Sequence, residues 1–425
     1  MIPEKLERFI NNENRTSYRQ DLDHVRALLA LAGNPHESLT TIHIAGTNGK
    51  GSVAHMLNSI LMQSGYKTGL YTSPHLLDIS ERIRIQDEYI PDEVFGGYID
   101  DISASIESTG IAPTYFDVMT VCAFRYFYEN KVDIAVIETG LGGRFDSTNV
   151  ITPCCSVITS ISMDHMNILG NTLEAIAREK AGIVKRGVPV VSADQDPPAL
   201  DVIVAASHKN RSEIYVLNKN FFTSNIVETG DGFFFDYALN AAPMADLRKV
   251  EIKNPLPVQV KNASLAITAS LISRKFLPDL NEEGIRKGIL RAMVPGRCQI
   301  LSSSPLVLYD PAHNEAAIEL MIGFALKKYA RRTITLVLTL MKDKKIDGIL
   351  STLKHYGLPA VYFTLDDARC YLPHDSGLFN FEKVITYDEE ALFRMLDEMR
   401  TADSLFFFLG SFRLYRTALN YAKRR

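Results

Sequence analysis

The 425-residue sequence has no apolar run approaching the roughly 18 residues that a membrane span needs, which argues against a membrane protein. It has no Lys/Arg-rich run either. With a formal net charge of −4, nucleic acid is not the expected partner. The start, Met1-Ile2-Pro3-Glu4-Lys5-Leu6-Glu7, lacks the basic-then-apolar pattern of a secretory leader. Cysteine is sparse: there are five, with Cys154 and Cys155 adjacent and Cys122, Cys298 and Cys370 scattered. An odd number at such spacing suggests neither a disulfide framework nor a zinc ribbon. Internal repeats, low-complexity tracts and surface heptads are not evident. The expectation is a cytoplasmic, soluble monomer with reduced thiols, whose 46% hydrophobic residues can furnish cores for two or three domains.

What is present centres on Ala45-Gly46-Thr47-Asn48-Gly49-Lys50-Gly51-Ser52. The β-branched run Thr41-Ile42-His43-Ile44 precedes it and Val53-Ala54-His55-Met56-Leu57 follows, which reads as strand, loop and helix. Glycines let backbone N–H groups close around an anion, the helix beginning near Ser52 adds its positive end, and Lys50 adds a full charge. The spacing departs from G-x-x-x-x-G-K-[ST], because Gly51 stands where Ser or Thr normally follows the lysine. In isolation a surface turn explains such a loop. Between a strand and a helix it reads as a phosphate cradle for ATP.

An opening helix is expected from about Leu6 to Ala32, ended by Gly33-Asn34-Pro35. Strands are expected at Thr68–His75, Ile83–Gln86, Val132–Glu138 and Cys155–Ile161, with helices opening at Tyr89-Ile90-Pro91-Asp92 and spanning Val118–Tyr128. Such alternation predicts an α/β fold with a mostly parallel sheet, whose ligands gather beyond the strands' carboxyl ends. The glycine loop, Ser73, Glu138 and Asp164-His165 all follow strands in this reading, so they can meet at one edge. Short aromatic and polar runs from Phe221 to Lys253 predict a small antiparallel excursion. Helices return at Asn262–Phe276 and Asn281–Ala292, and Val294-Pro295-Gly296-Arg297 punctuates like a linker. Beyond it, strands at Leu306–Asp310, Ile334–Leu338, Val361–Phe363 and Leu405–Leu409 restart the alternation. The expected division is residues 1–294 and a smaller α/β domain at 295–425.

Glu138 closes an apolar strand before Thr139-Gly140-Leu141-Gly142-Gly143-Arg144-Phe145-Asp146. A strand-end acid beside a phosphate loop suits a Mg²⁺ ligand, because the ion prefers hard oxygens and keeps waters. Ser73 offers a hydroxyl to the same ion, although serine before proline is also an ordinary turn former. A solvated strand end is the plain alternative for Glu138. His165 and Lys180, taken singly, read as structural or solvated.

Together these stretches resemble the folylpolyglutamate synthases and dihydrofolate synthases of the Mur ligase superfamily. The resemblance runs nearly end to end. It rests on Gly46–Ser52, Tyr71-Thr72-Ser73-Pro74-His75, Glu138 with Gly140–Asn149, Asp164-His165, Glu179-Lys180-Ala181-Gly182-Ile183, Pro295-Gly296-Arg297 and Asp310-Pro311-Ala312-His313-Asn314. It implies a P-loop-type ATPase domain followed by a Rossmann-like glutamate-binding domain. It implies ATP phosphates on Asn48, Gly49, Lys50, Gly51 and Ser52, and nucleotide contacts from Asn262, Arg297 and Asp310. One Mg²⁺ would lie on Ser73 and Glu138, and a second on His165 with Lys180 carbamylated by CO₂. Thr114, Tyr115, Phe116, Asp117, Phe145, Asp146 and Ser147 match stretches that line a pteroate site, and His313 and Ser411 match substrate-side residues. Lys50, Lys180 and His313 are the expected catalytic set. Pro311 stands where glycine is usual, Asp117 where glutamate is common, and the histidine often found before Gln259 is missing.

The implied reaction is ATP-dependent addition of L-glutamate to dihydropteroate, to the glutamyl tail of a reduced folate, or to both, through an acyl phosphate. ATP would sit between the domains, which close about Pro295-Gly296-Arg297. A folate-only enzyme and a cell-wall Mur ligase are the alternative enzymes. A nucleotide-binding regulator without ligase activity is the alternative of another class, disfavoured by the set Ser73, Glu138, His165 and Lys180.

Overall fold

A computed structural model describes residues 4–6, 9, 20–240, 245–373 and 381–424. The chain divides into two compact units, Met1–Val294 and Pro295–Arg425.

In the first unit eight strands form one mixed sheet: β1 (Thr41–Ala45), β2 (Thr68–Tyr71), β3 (Ile83–Ile85), β4 (Glu88–Tyr89), β5 (Ile134–Glu138), β6 (Cys155–Ile158), β7 (Val190–Ser192) and β8 (Ile214–Val216). Their order is β4-β3-β2-β5-β1-β6-β7-β8. Pairing is parallel from β2 across to β8 and antiparallel only where β3 meets β2 and β4. The sheet is therefore mixed rather than simply parallel. Strand β1 lies near its centre, flanked by β5 and β6, which is why all five of its residues are buried. The register pairs Ile44 with Glu138 and with Val157, so the ends of three strands lie level beside the glycine loop.

Three further strands, β9 (Phe221–Glu228), β10 (Phe233–Leu239) and β11 (Ala245–Ile252), make the expected antiparallel sheet. In β10 the residues Phe233, Phe235, Tyr237 and Leu239 alternate inward, and they join the main core with the Val258–Ile272 helix. The Glu282–Arg291 helix then crosses the Lys50–Gln63 helix at very close range. A Cβ on Gly288 would lie 2.3 Å from Ile60 Cα, and one on Gly284 would lie 2.2 Å from Ser64 Oγ. Arg291 Nη1 donates to Gln63 Oε1 at 2.8 Å at the far end of this contact.

Several boundaries differ from expectation. A helix is observed at Asp23–Leu31; residues 7, 8 and 10–19 of the expected Leu6–Ala32 helix lie outside the described residues. The loop helix begins at Lys50 instead of Ser52, after Gly49 in a left-handed conformation. Strands β2 and β6 stop at Tyr71 and Ile158, so Ser73 and Ser160 stand on loops.

The second unit has the order β12-β13-β17-β14-β15-β16, from β12 (Gln299–Ser303), β13 (Leu306–Asp310), β14 (Thr333–Leu338), β15 (Ala360–Thr364), β16 (Lys383–Thr386) and β17 (Ser404–Leu409). Among these described strands, only the edge strand β12 pairs antiparallel. Strand β17, Ser404-Leu405-Phe406-Phe407-Phe408-Leu409, is buried throughout, as a central parallel strand covered on both faces must be.

Candidate active site

The loop between β1 and the Lys50–Gln63 helix is built on two glycines that no other residue can replace. Gly46 has φ +153°, and a Cβ there would lie 1.8 Å from Thr159 Oγ1. Gly49 has φ +90°, and its Cβ would meet Asn262 Oδ1 at 2.7 Å. The loop is clamped from the β6 side: Thr47 and Asn48 N–H groups donate to the Ser160 carbonyl at 2.9 and 3.2 Å. Thr47 Oγ1 donates to the Ser162 carbonyl at 3.1 Å, and Asn48 Nδ2 to Ser162 Oγ at 3.2 Å. From the other side Gln259 Nε2 donates to Ser52 Oγ at 3.3 Å, while Asn262 Nδ2 donates to Gln259 Oε1 at 2.9 Å. Asn262 thus packs against the loop itself. Lys50 Nζ folds back on the Thr47 carbonyl at 3.4 Å. A helix N-terminus, a lysine and a held glycine turn form an anion cradle.

Beneath the loop lies Glu138, buried at 3% exposure, with Oε2 3.6 Å from where a Gly51 Cβ would be. The Ser73 N–H donates to the same Oε2 at 3.1 Å. Lys180 ends the Leu173–Lys180 helix and is buried at 4% exposure, its Nζ donating to the Gly46 carbonyl at 2.7 Å. Burial, then the nearby Lys50 charge, lower its pKa from 10.5 to about 7, against a smaller opposing pull from Asp164 and Asp146. An ammonium so placed has lost most of its hydration, so the neutral amine is populated near neutral pH. His165 starts the turn after Asp164 in a left-handed backbone conformation, φ +49°. It is a half-open side chain with Nε2 3.9 Å from Asp164 Oδ2.

Among the described residues no three His, Cys, Asp or Glu side chains converge as a metal cage. Mg²⁺, however, is commonly held by one or two protein oxygens with waters and phosphate oxygens completing the shell. Glu138 and Ser73 provide donors of that kind next to the anion cradle.

The expected pteroate-site residues divide into two groups. Asp117 and Asp146 are occupied by local bonds. Thr114 caps the Tyr115–Glu129 helix, and Asp117 Oδ2 accepts from the Thr114 N–H at 2.8 Å, closing a capping box. Asp117 Oδ1 accepts from Ser147 Oγ at 2.6 Å. Asp146 accepts from the Leu141 N–H at 2.8 Å, from the Thr148 N–H at 3.1 Å and from the Thr148 hydroxyl. Tyr115 is buried in the core with the Arg82 guanidinium 5.5 Å over its ring. Phe116 and Phe145 remain partly open: Phe116 stacks on Tyr71 at 5.8 Å and presses on Gly140, and Arg144 lies 4.8 Å over Phe145. Both carboxylates are thus engaged by their own turns, while the two rings are partly exposed. Sequence reasoning also missed Arg82, whose Nε donates to His75 Nδ1 at 3.0 Å, and His43, the one ionisable residue of β1.

In the second unit Arg297, His313 and Phe412 cluster at the ends of β13 and β17. The Arg297 guanidinium lies 5.2 Å over the Phe412 ring, and the His313 ring is 6.0 Å from it. Asp310 is buried and accepts from the Cys298 and Ala312 N–H groups, each at 2.9 Å. Burial raises its pKa, and the Arg297 charge opposes the rise. Pro311 fits without disturbing this turn, its carbonyl 2.8 Å from His313 Nδ1. The Ser411 hydroxyl accepts from the Arg413 N–H at 3.2 Å and caps its own turn.

A strand-ended anion cradle with a buried acid and a buried lysine is the geometry of a phosphoryl-transfer site. Residues 44–270 match the family model described as the Mur ligase middle domain. A dihydrofolate synthase/folylpolyglutamate synthase from Bacillus subtilis is 35% identical over 373 residues, covering 86% of each chain. A folylpolyglutamate synthase of Mycobacterium tuberculosis complexed with ADP and AMPPCP superposes with TM-score 0.86 at 28% identity, covering 99% of each chain. An FPGS–AMPPCP–folate complex does so with TM-score 0.85 at 30% identity, covering 100% of each. The chain belongs to the folylpolyglutamate synthase and dihydrofolate synthase family of the Mur ligase superfamily. It is an enzyme of that family's ATP-dependent ligase class.

Proposed function

We propose that the protein adds L-glutamate to dihydropteroate and to the glutamyl tail of reduced folates, using ATP. The observation that carries this reading is the buried Lys180 amine lodged 2.7 Å from the phosphate loop's own Gly46 carbonyl, beside buried Glu138. A structural turn has no use for an acid and a lysine buried together under a glycine loop. The likeness to the Bacillus subtilis synthase and to the nucleotide- and folate-bound structures supports the same substrates.

In this reading the loop N–H groups, Lys50 and Ser52 hold the ATP phosphates, with Asn262, Arg297 and Asp310 on the nucleotide. The substrate carboxylate attacks the γ-phosphorus, ADP departs, and an acyl phosphate forms. The glutamate amine then attacks the acyl carbon and phosphate leaves. Lys50 neutralises charge on the phosphoryl group in flight, and the clamped loop provides positioning. Mg²⁺ on Ser73 and Glu138, with a second ion on His165 and carbamylated Lys180, would supply further charge neutralisation. Lys180 favours carbamylation because only a neutral amine attacks CO₂, and the product turns repulsion from Lys50 into attraction. Phe116 and Phe145 offer aromatic faces to the flat pterin, and the second unit binds glutamate, with His313 and Ser411 on the substrate side.

Purified protein supplied with ATP, Mg²⁺ and glutamate is expected to release ADP with dihydropteroate and, separately, with tetrahydrofolate. Turnover of tetrahydrofolate alone would reduce the assignment to a folate-extending enzyme, and no release with either would overturn it. Arg297→Ala is expected to raise KM for ATP about ten-fold, with Arg297→Lys only partly restoring it, because lysine cannot copy the planar fork. Equal KM values in all three proteins would show that the nucleotide does not use this arginine.

A further inference from the structure

His43 is wholly buried in the central strand β1, three residues before the phosphate loop. Burial, reinforced by the Lys185 charge, lowers its pKa to about 3, so the ring is neutral. Its Nε2 lies 2.8 Å from Thr148 Oγ1, and the Thr148 hydroxyl in turn is bonded to Asp146 Oδ1. Asp146 is held as an acceptor by two N–H groups, from Leu141 and Thr148, so the hydroxyl proton goes to the carboxylate. The Thr148 oxygen is then an acceptor, and His43 must donate from Nε2. That choice leaves Nδ1 as a buried lone pair, and among the described residues Nδ1 has no hydrogen-bond partner. Leaving a buried acceptor unpaired is unfavourable, and a leucine at this position of β1 would avoid it.

The relay ends in the 140–150 loop, which has two contacts of consequence. It carries Phe145, partly exposed with the Arg144 guanidinium 4.8 Å over its ring. It also abuts the end of the Lys180 helix, where a Cβ on Gly143 would lie 2.9 Å from the carbonyls of Glu179 and Lys180. The Arg144 N–H donates to the Glu179 carbonyl at 2.7 Å, and Asn149 Nδ2 bonds the Arg144 and Gly182 carbonyls at 2.9 and 3.1 Å. We infer that His43 is a positioning residue: through Thr148 it aims the Asp146 carboxylate, and so sets the 140–150 loop that presents Phe145 to the pterin substrate. Its link from β1 ties the pterin side of the site to the strand that ends in the phosphate loop.

The inference rests on the proposed pterin substrate for its kinetic readout, and on spectroscopy for a readout independent of it. In the full chain His43→Leu is expected to raise KM for the pterin substrate about ten-fold or more while KM for ATP stays within about two-fold. His43→Gln, whose amide nitrogen can donate from a similar place, is expected to recover most of that loss. A folded His43→Leu protein with unchanged KM for the pterin, or a folded His43→Gln as impaired as His43→Leu, would overturn the positioning role. Long-range ¹⁵N correlation spectra are expected to show His43 protonated at Nε2 and bare at Nδ1 from about pH 5 to 8. The Nε2 signal should shift in Thr148→Val. An Nδ1-protonated or charged ring would overturn the relay. If wild-type protein turns over no pterin yet shows the Nε2 tautomer, the substrate reading fails and the relay stands.

Discussion

Lys180→Ala is expected to lower turnover by about three orders of magnitude or more while leaving the protein folded. The side chain ends a helix that Ile176 and Ala177 anchor in an apolar cluster and Thr172 caps, so its loss removes a buried amine without disturbing the sheet. Lys180→Met, which keeps the volume, is expected to be equally inactive, and mass spectrometry of native wild type should show one added carbamate that both variants lack. Near-normal turnover in Lys180→Ala would overturn the role. Stability offers a second measurement, made in CO₂-free buffer. The unfolded chain holds the Lys180 proton up to about pH 10.5, whereas the folded chain releases it near pH 7. Between those values the unfolded state binds more protons, so unfolding free energy rises with pH across that window. Lys180→Met should flatten the rise. An identical pH dependence in both proteins would mean that the amine is not desolvated.

The second large effect is on stability. Asp146→Ala is expected to destabilise the first unit by about 3 kcal/mol, because the Leu141 and Thr148 donors are left buried and unpaired. A fall in denaturant midpoint at constant slope would measure it. The sequence alone suggests another role for this acid, as a hydrogen-bond acceptor for a pterin ring. Its oxygens also close the turn at Ser147–Val150, so any loss of activity in this variant has to be corrected for the fraction folded. No change in midpoint would show that solvent or the loop re-pairs those donors.

Asp146 and its neighbours show what sequence makes legible. The phosphate loop could be read because strand, glycines, lysine and helix are contiguous, and each element follows from local chemistry. Glu138 could be placed because β5 is a continuous apolar run that ends in an acid. The short strands β7 and β8 were not anticipated, since Val190-Val191-Ser192 and Ile214-Tyr215-Val216 are too brief to display a period. The polar edge strand β12, Gln299-Ile300-Leu301-Ser302-Ser303, was missed for lack of apolar alternation. The capping role of Asp117 was visible in principle, since Thr114-x-x-Asp117 is a capping-box spacing. The contact of Thr148 with His43 spans two elements and 105 residues, beyond what pattern can reach.

The tight crossing of the Lys50–Gln63 and Glu282–Arg291 helices bears on how the chain acquires activity during synthesis. Two glycines let the later helix rest almost backbone to backbone on the earlier one, more than two hundred positions upstream. A nascent chain halted before residue 282 can pair β1 with β5 and β6 yet leaves one flank of the loop helix bare to water. The helix that carries the cradle is therefore covered by a segment made just before the second unit. Translation that stops early leaves apolar surface for chaperones to cover in place of a working half-enzyme.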